Sequence, residues 1–208
     1  MEDIYIKLKE YTDYSLGKER KETTLEYENV VLEKIKFTGY DLNNSKFLEV
    51  NFNKCDFQDV YMSGTSICGS IFNDCIFSNN IFKKGNADNA TFARSNLHKM
   101  DGFRTSFYET VFCDLSISET NFENVHIGRA SFTNIIFENC CFKNAYLKDS
   151  IFNNVTMIDC YFENTKFINI DIKDIKFEGI TINMGNIIKS GKSTNDLILI
   201  DSYLSCES

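Results

Sequence analysis

The 208-residue chain contains no proline, no tryptophan and only two histidines. Proline belongs to turns and irregular loops, so its absence fits a chain with few of them. The histidines, His98 and His126, stand far from the cysteines, and none of the eight cysteines forms a CxxC pair. A zinc site is therefore not expected, nor any other metal. No apolar run approaches the ~20 residues of a membrane span. The opening stretch, MEDIYIKLKEYTDYSLGKERKE, is charged throughout, without a secretory signal,. These features lead us to expect a cytoplasmic protein with reduced thiols and no membrane contact. GxSxG, GxxxxGK[ST], HExxH and GxGxxG are all missing, so neither an enzyme nor a cofactor is expected,. Lys and Arg number 22 against 30 Asp and Glu, a net charge of −8. Direct nucleic-acid binding needs clustered bases and is not expected.

What the chain does have is a beat of five. In SFTNIIFENCCFKNAYLKDSIFNNVTMIDCYFENTKF, Ser131 to Phe167, a large apolar residue falls at every fifth position from Phe132 to Phe167. The register runs from Leu32 to Ile182 and has 31 central positions, 18 of them Phe. Of the rest, five are Ile, four Leu and two Met, with Ala87 and Gly102 the exceptions. The position two residues earlier is mostly small or β-branched, as at Ser45, Val50, Cys55 and Thr65, and is never charged. The other three positions hold nearly all the Asn, Asp, Glu and Lys. A helix repeats near 3.6 residues and a half-buried strand every 2, so neither explains the pattern. A chain that turns a corner after each short extended segment does. Four segments close a square coil, and stacked coils make a solenoid. Nearly eight coils at the β spacing of ~4.8 Å give a rod of roughly 37 Å. Cys55 with Cys75, and Cys140 with Cys160, then stack twenty residues apart as small core residues,.

The segments CDFQD, SIFND, ATFAR, TNFEN, ASFTN, AYLKD and SIFNN resemble the A(D/N)LXX-type motif of pentapeptide-repeat proteins. The resemblance implies an all-β fold, a right-handed quadrilateral β-helix. We divide the chain into a cap segment over 1–29, the β-helix over 30–184, and a cap or dimerisation tail over 185–208. In the first segment Ile4, Leu8 and Tyr11 suit a short helical stripe, although strands laid over the first coil are an alternative. Beyond Ile182 the beat is lost. Gly185, Ser190, Gly191 and Ser193 suggest a flexible connection, followed by a helix capped at Asn195 or Asp196. That helix would carry Leu197, Ile198, Ile200, Tyr203 and Leu204, which are too apolar to hang in water.

A Phe-filled interior leaves no pocket, so function is expected on the outer walls. The wall centred on Phe37, Phe57 and Phe77 carries six acids and three bases, the acids being Asp56, Asp59, Glu119, Glu138, Asp159 and Glu178. The other three walls are nearly balanced. An acidic rod of this length resembles the quinolone-resistance branch of the pentapeptide-repeat proteins. That resemblance implies a DNA mimic that engages DNA gyrase or topoisomerase IV and dimerises through its C-terminus. The alternative is a generic scaffold or immunity-type module with another protein target. The register never slips, so a mechanism that depends on inserted loops is excluded. One stretch breaks the pattern, HKMDGFRTSF, with Gly102 at the centre, Phe103 beside it and Met100 two before; Ala87 is undersized one coil earlier. Either Phe103 swings inward, or the backbone bulges, or Met100 and Phe103 together repair a drifted repeat. A kink there would gather Lys83, Lys84, Asp101 and Arg104.

Overall fold

The computed structural model describes residues 2–19, 23–179, 181–183 and 188–191. A helix, Glu2–Ser15, precedes a stack of parallel strands in which each residue pairs with the one twenty further on. The pattern follows from the five-residue period: four segments of five make one coil, so like falls on like. Inward side chains are the central residue and the one two before it, as in the buried pairs Val50 and Phe52, or Cys55 and Phe57. We number the walls from the N-terminus by their central residues: the first holds Leu32 and Phe52, the second Phe37 and Phe57, the third Leu42 and Met62, the fourth Phe47 and Ile67. The first and second walls carry strands in most coils, and three run unbroken round the corner between them: Val111–Ser118, Ser131–Glu138 and Ile151–Ile158.

The core is a set of ring stacks. Along the first wall Phe52, Phe72, Phe92, Phe112, Phe132 and Phe152 lie face to face, with centroids 4.6–5.3 Å apart. Rings on adjacent walls meet edge-on, as Phe52 and Phe57 do at 5.4 Å. Both arrangements suit the aromatic quadrupole.

The corners turn at the residue two after the centre, and there, except at Asp174, the backbone is left-handed among the described residues. Twenty-six non-glycine residues hold φ between 49° and 60°, of which eleven are Asn and five Asp. Asn and Asp tolerate this conformation best after Gly, which explains the asparagine-rich surface. Two kinds of corner occur. In one the backbone closes its own turn, as Thr65 N–H does on Met62 O at 3.1 Å. In the other, the amide of the small inward residue bonds a hydroxyl one coil on. Val50 N–H donates to Ser70 Oγ at 3.0 Å, and that hydroxyl donates to Phe47 O at 2.8 Å. Small polar residues sit beside Phe because they satisfy buried backbone groups. The buried thiols take the same place, Cys75 Sγ donating to Phe52 O at 3.5 Å and Cys140 Sγ to Ile117 O at 3.4 Å. The bond to the neighbouring thiol and burial push both upward in pKa, which keeps them protonated and inert,.

Position 80 departs from the rule of small residues. Asn80 is buried, its Nδ2 lies 3.6 Å from Met62 Sδ, and its Oδ1 has no hydrogen-bond partner. Asn80→Val, which matches Val60 one coil below, is expected to stabilise the fold by about 1 kcal/mol or more. A rise in the guanidinium denaturation midpoint would report it.

The anomaly at Gly102 resolves without a kink. The backbone keeps register, Gly102 N–H bonding Asn121 O at 2.9 Å. Met100 turns into the vacant space, and its Cε would lie 3.8 Å from a Cβ placed on Gly102. Phe103 neither swings inward nor bulges the chain; it stays on the outer face with the Arg104 guanidinium 5.0 Å from its ring centre. Two residues before Ala87, the Phe82 ring leans over Gly85 so closely that an added Cβ would stand 2.3 Å from it. Gly85→Ala should therefore cost about 1–3 kcal/mol by overpacking. Phe82→Leu in the same chain should recover part of that loss in a denaturation series.

Both ends differ from a plain continuation of the repeat. The helical alternative holds at the N-terminus, where Ile4, Leu8 and Tyr11 are buried against the first coil. Polar bonds tie the helix to the third wall: Tyr11 Oη donates to Asn43 O, and Asp41 N–H to Thr12 Oγ1 at 3.0 Å. Gly17, at φ 71°, ends the helix turn,. The coil begins earlier than residue 30, because Glu26–Glu28 pairs with Lys46–Leu48 and Leu25 is buried. Near the other end, Ile188–Gly191 pairs with the strand Lys166–Ile172, with Lys166 opposite Ile188. That offset is twenty-two residues, so two extra residues enter the last coil and the beat is lost as the sequence indicates. Ser190 and Gly191, expected in a flexible connection, lie in this strand, which covers an otherwise open edge,. The proposed tail helix with Leu197, Ile198, Ile200, Tyr203 and Leu204 lies outside the described residues.

Candidate functional site

The outer walls carry the acids on which partner binding is expected. On the second wall the six acids fall where the period places them, on three ladders. Asp59, Glu119 and Asp159 line the corner, Glu138 and Glu178 share the ladder of Gln58 and His98, and Asp56 stands alone on a third. Local partners temper this charge. Glu119 meets Lys99 at 3.4 Å and His98 Nε2 at 3.9 Å, and Glu178 pairs with Lys176. Asp59 accepts from Asn79 Nδ2 at 3.0 Å, and Asp56 from Gln58 N–H at 3.0 Å. Between the acids stand Ile76 and Ile136, 50% and 48% exposed, and the half-buried Ile158, which separates Glu138 from Glu178. Sequence reading missed them, because a five-residue pattern assigns those positions only to the outside.

His98 and His126 face outward on different walls. His98 Nδ1 lies 2.9 Å from Ser118 Oγ, while the His126 ring meets Tyr146 edge-on at 4.9 Å. The cluster imagined around a kink is partly assembled: Lys83 Nζ pairs with Asp101 at 2.9 Å, with Lys84 and Arg104 on the neighbouring corner ladder.

Ion pairs across coils recur elsewhere. Arg94 reaches Asp74 at 3.1 Å, Arg129 reaches Glu109 at 3.2 Å, and Lys143 reaches Glu163 at 3.0 Å. These are surface pairs of small energetic weight. Hydrogen bonds from Asn134 and from Cys113 hold the Asp114 carboxyl below the usual carboxylate range. Among the described residues, no group of three or more His, Cys, Asp or Glu is placed to hold a metal, and no helix is long and apolar enough to cross a membrane.

This geometry defines a four-sided parallel β-solenoid that presents its outer walls. The chain belongs to the pentapeptide-repeat family: the family of pentapeptide repeats matches residues 35–74, 116–154 and 140–179, in eight copies. Among solved structures it is similar to trypsin-treated QnrB1, a plasmid-mediated fluoroquinolone resistance protein, at 15% identity and a TM-score of 0.40 over 88% of this chain and 98% of that one. It is also similar to HetL, a pentapeptide repeat protein involved in heterocyst differentiation regulation from the cyanobacterium Nostoc sp. Strain PCC 7120. There the identity is 11% and the TM-score 0.34, over 81% and 91% of the two chains. The periplasmic alginate epimerase AlgG matches at 10% identity and a TM-score of 0.36, over 86% of this chain and 52% of that one. No curated protein matches by sequence.

Proposed function

We propose that the chain is a non-catalytic protein-binding rod whose second wall imitates a double helix and seats in the basic DNA-binding surface of DNA gyrase or topoisomerase IV. Such binding would protect the enzyme from quinolones. The observation that carries this reading is the alignment of Asp56, Asp59, Glu119, Glu138, Asp159 and Glu178 on one wall. From Asp56 to Glu178 is six coil steps, roughly 29 Å at the β spacing. One acid per ~5 Å is thinner than the one charge per ~1.7 Å of duplex DNA. The imitation is therefore coarse, and Ile76 and Ile136 contribute apolar contact. The test is a gyrase supercoiling assay with the protein added, with and without a quinolone. Protection at low salt that fades as salt rises is expected; no effect on either topoisomerase at low salt refutes the target.

A second reading rests on the same two isoleucines. Exposed apolar residues amid sparse acids also suit a scaffold that binds a less basic protein surface. In either case the apolar residues Leu197, Ile198, Ile200, Tyr203 and Leu204 are proposed to join two copies at the C-terminal end.

A further inference from the structure

The first wall bears an alternation that the repeat itself does not require. Just before each central residue, one outward ladder runs up the wall in strict register. Coils one, three, five and seven place Val31, Ile71, Val111 and Ile151 there, 65%, 39%, 38% and 38% exposed. Coils two, four, six and eight place Asn51, Thr91, Ser131 and Asp171 there, all half-buried. Large apolar rungs thus stand proud and shorter polar rungs lie recessed between them. Strand propensity explains Val and Ile on a strand, but not their restriction to every second coil.

We propose that this wall is a self-complementary interface for a second copy of the chain, laid face to face and antiparallel. A two-fold axis along the strand direction reverses the order of coils and keeps each ladder opposite itself. With eight rungs, coil one then faces coil eight and coil four faces coil five. Every large rung meets a small one: Val31 with Asp171, Ile71 with Ser131, Val111 with Thr91, Ile151 with Asn51. The charges agree independently. On the ladder just after the centres, Glu33 faces Lys173; on the corner ladder, Lys34 faces Asp174 and Arg94 faces Asp114. No like-charged pair arises within a ladder. The same operation on the second wall sets Lys36 against Lys176 and Asp59 against Asp159, with Lys99 against Glu119 the one opposite pair, so like charges outnumber opposite ones there. The first wall is about 34 Å long and roughly 10–13 Å wide. Such an area lies at the low end for specific interfaces, so the association is weak and concentration-dependent. It is separate from the C-terminal tail and does not depend on the identity of any topoisomerase target.

A pair that is distant within one chain supplies the test. Asn53 of one copy faces Asn153 of the other, whereas within a chain they stand five coil steps, roughly 24 Å, apart,. Full-length Asn53→Cys with Asn153→Cys should give a dimer under mild oxidation that a reductant reverses and that neither single variant gives. In sedimentation velocity at about 100 µM, wild type should show an association step that Val111→Lys weakens at least tenfold. Glu33→Lys alone should weaken it, and Glu33→Lys with Lys173→Glu should restore it. Tail-mediated dimers would shift every species equally and leave these differences intact. No cross-link in the double-cysteine variant beyond that of the single variants, or association unmoved by Val111→Lys and by the charge swap in chains of native circular dichroism, overturns the proposal.

Discussion

Phe132→Ala is expected to cost about 3–5 kcal/mol, the penalty of a cavity in a packed aromatic core. The ring is buried and stacked between Phe112 at 4.9 Å and Phe152 at 4.8 Å, so its loss interrupts the first-wall stack from both sides. In a solenoid each coil is held mainly by its neighbours, so a mid-stack cavity weakens two interfaces at once. Glu138→Ala, on the outer face of a strand that includes Phe132, should change stability by less than about 0.5 kcal/mol. Chemical denaturation of the two variants in parallel provides the comparison. Equal losses would contradict the division into inward and outward positions on which every wall assignment rests.

Reversing Glu119, Glu138 and Asp159 to Lys is expected to abolish topoisomerase binding and leave the fold intact. All three side chains are exposed. Glu119 is paired with Lys99, so its reversal leaves two like charges in contact, a small cost at a surface,. Long-range attraction contributes much of such binding, so wild-type capture should fall steeply between low and physiological salt. The control belongs on the fourth wall, at Glu49, Glu109 and Asp149. Asp88 is unsuited to it, because its carboxylate holds Tyr108 N–H at 2.9 Å and Ser106 Oγ at 2.6 Å, and reversal would disturb the turn. A pull-down at low salt compares the variants. Binding by the second-wall variant at wild-type level would move the contact to another wall; failure of wild type to bind either topoisomerase would leave the scaffold reading in its place.

The solenoid could be read from the chain because its contacts are arithmetic. A five-residue period with four sides sets residue i beside residue i+20, so Asp56, Ile76 and Asn96 share a ladder before any coordinate is known. The wall of every acid and the inward place of Cys55 and Cys140 follow in the same way. What arithmetic does not reach is the direction of a side chain or the course of segments outside the repeat. Whether Gly102 made a kink depended on Met100 turning into the gap, and the packing at Gly85 depended on the Phe82 ring leaning over it. The net acidity of the second wall was legible, but its partial neutralisation by Lys99 and Lys176 was not, since ion pairs form between long, rotatable side chains. The early start of the coil at Leu25 and the helix packed over it were open for the same reason: a terminus has a neighbour on one side only, so no repeat constrains what covers it,. By itself the sequence determined which residues face in, which face out and which lie in line. The tertiary structure decided how those lines are filled, paired and closed, because packing and ion pairing act through space between atoms that the period brings close but does not orient.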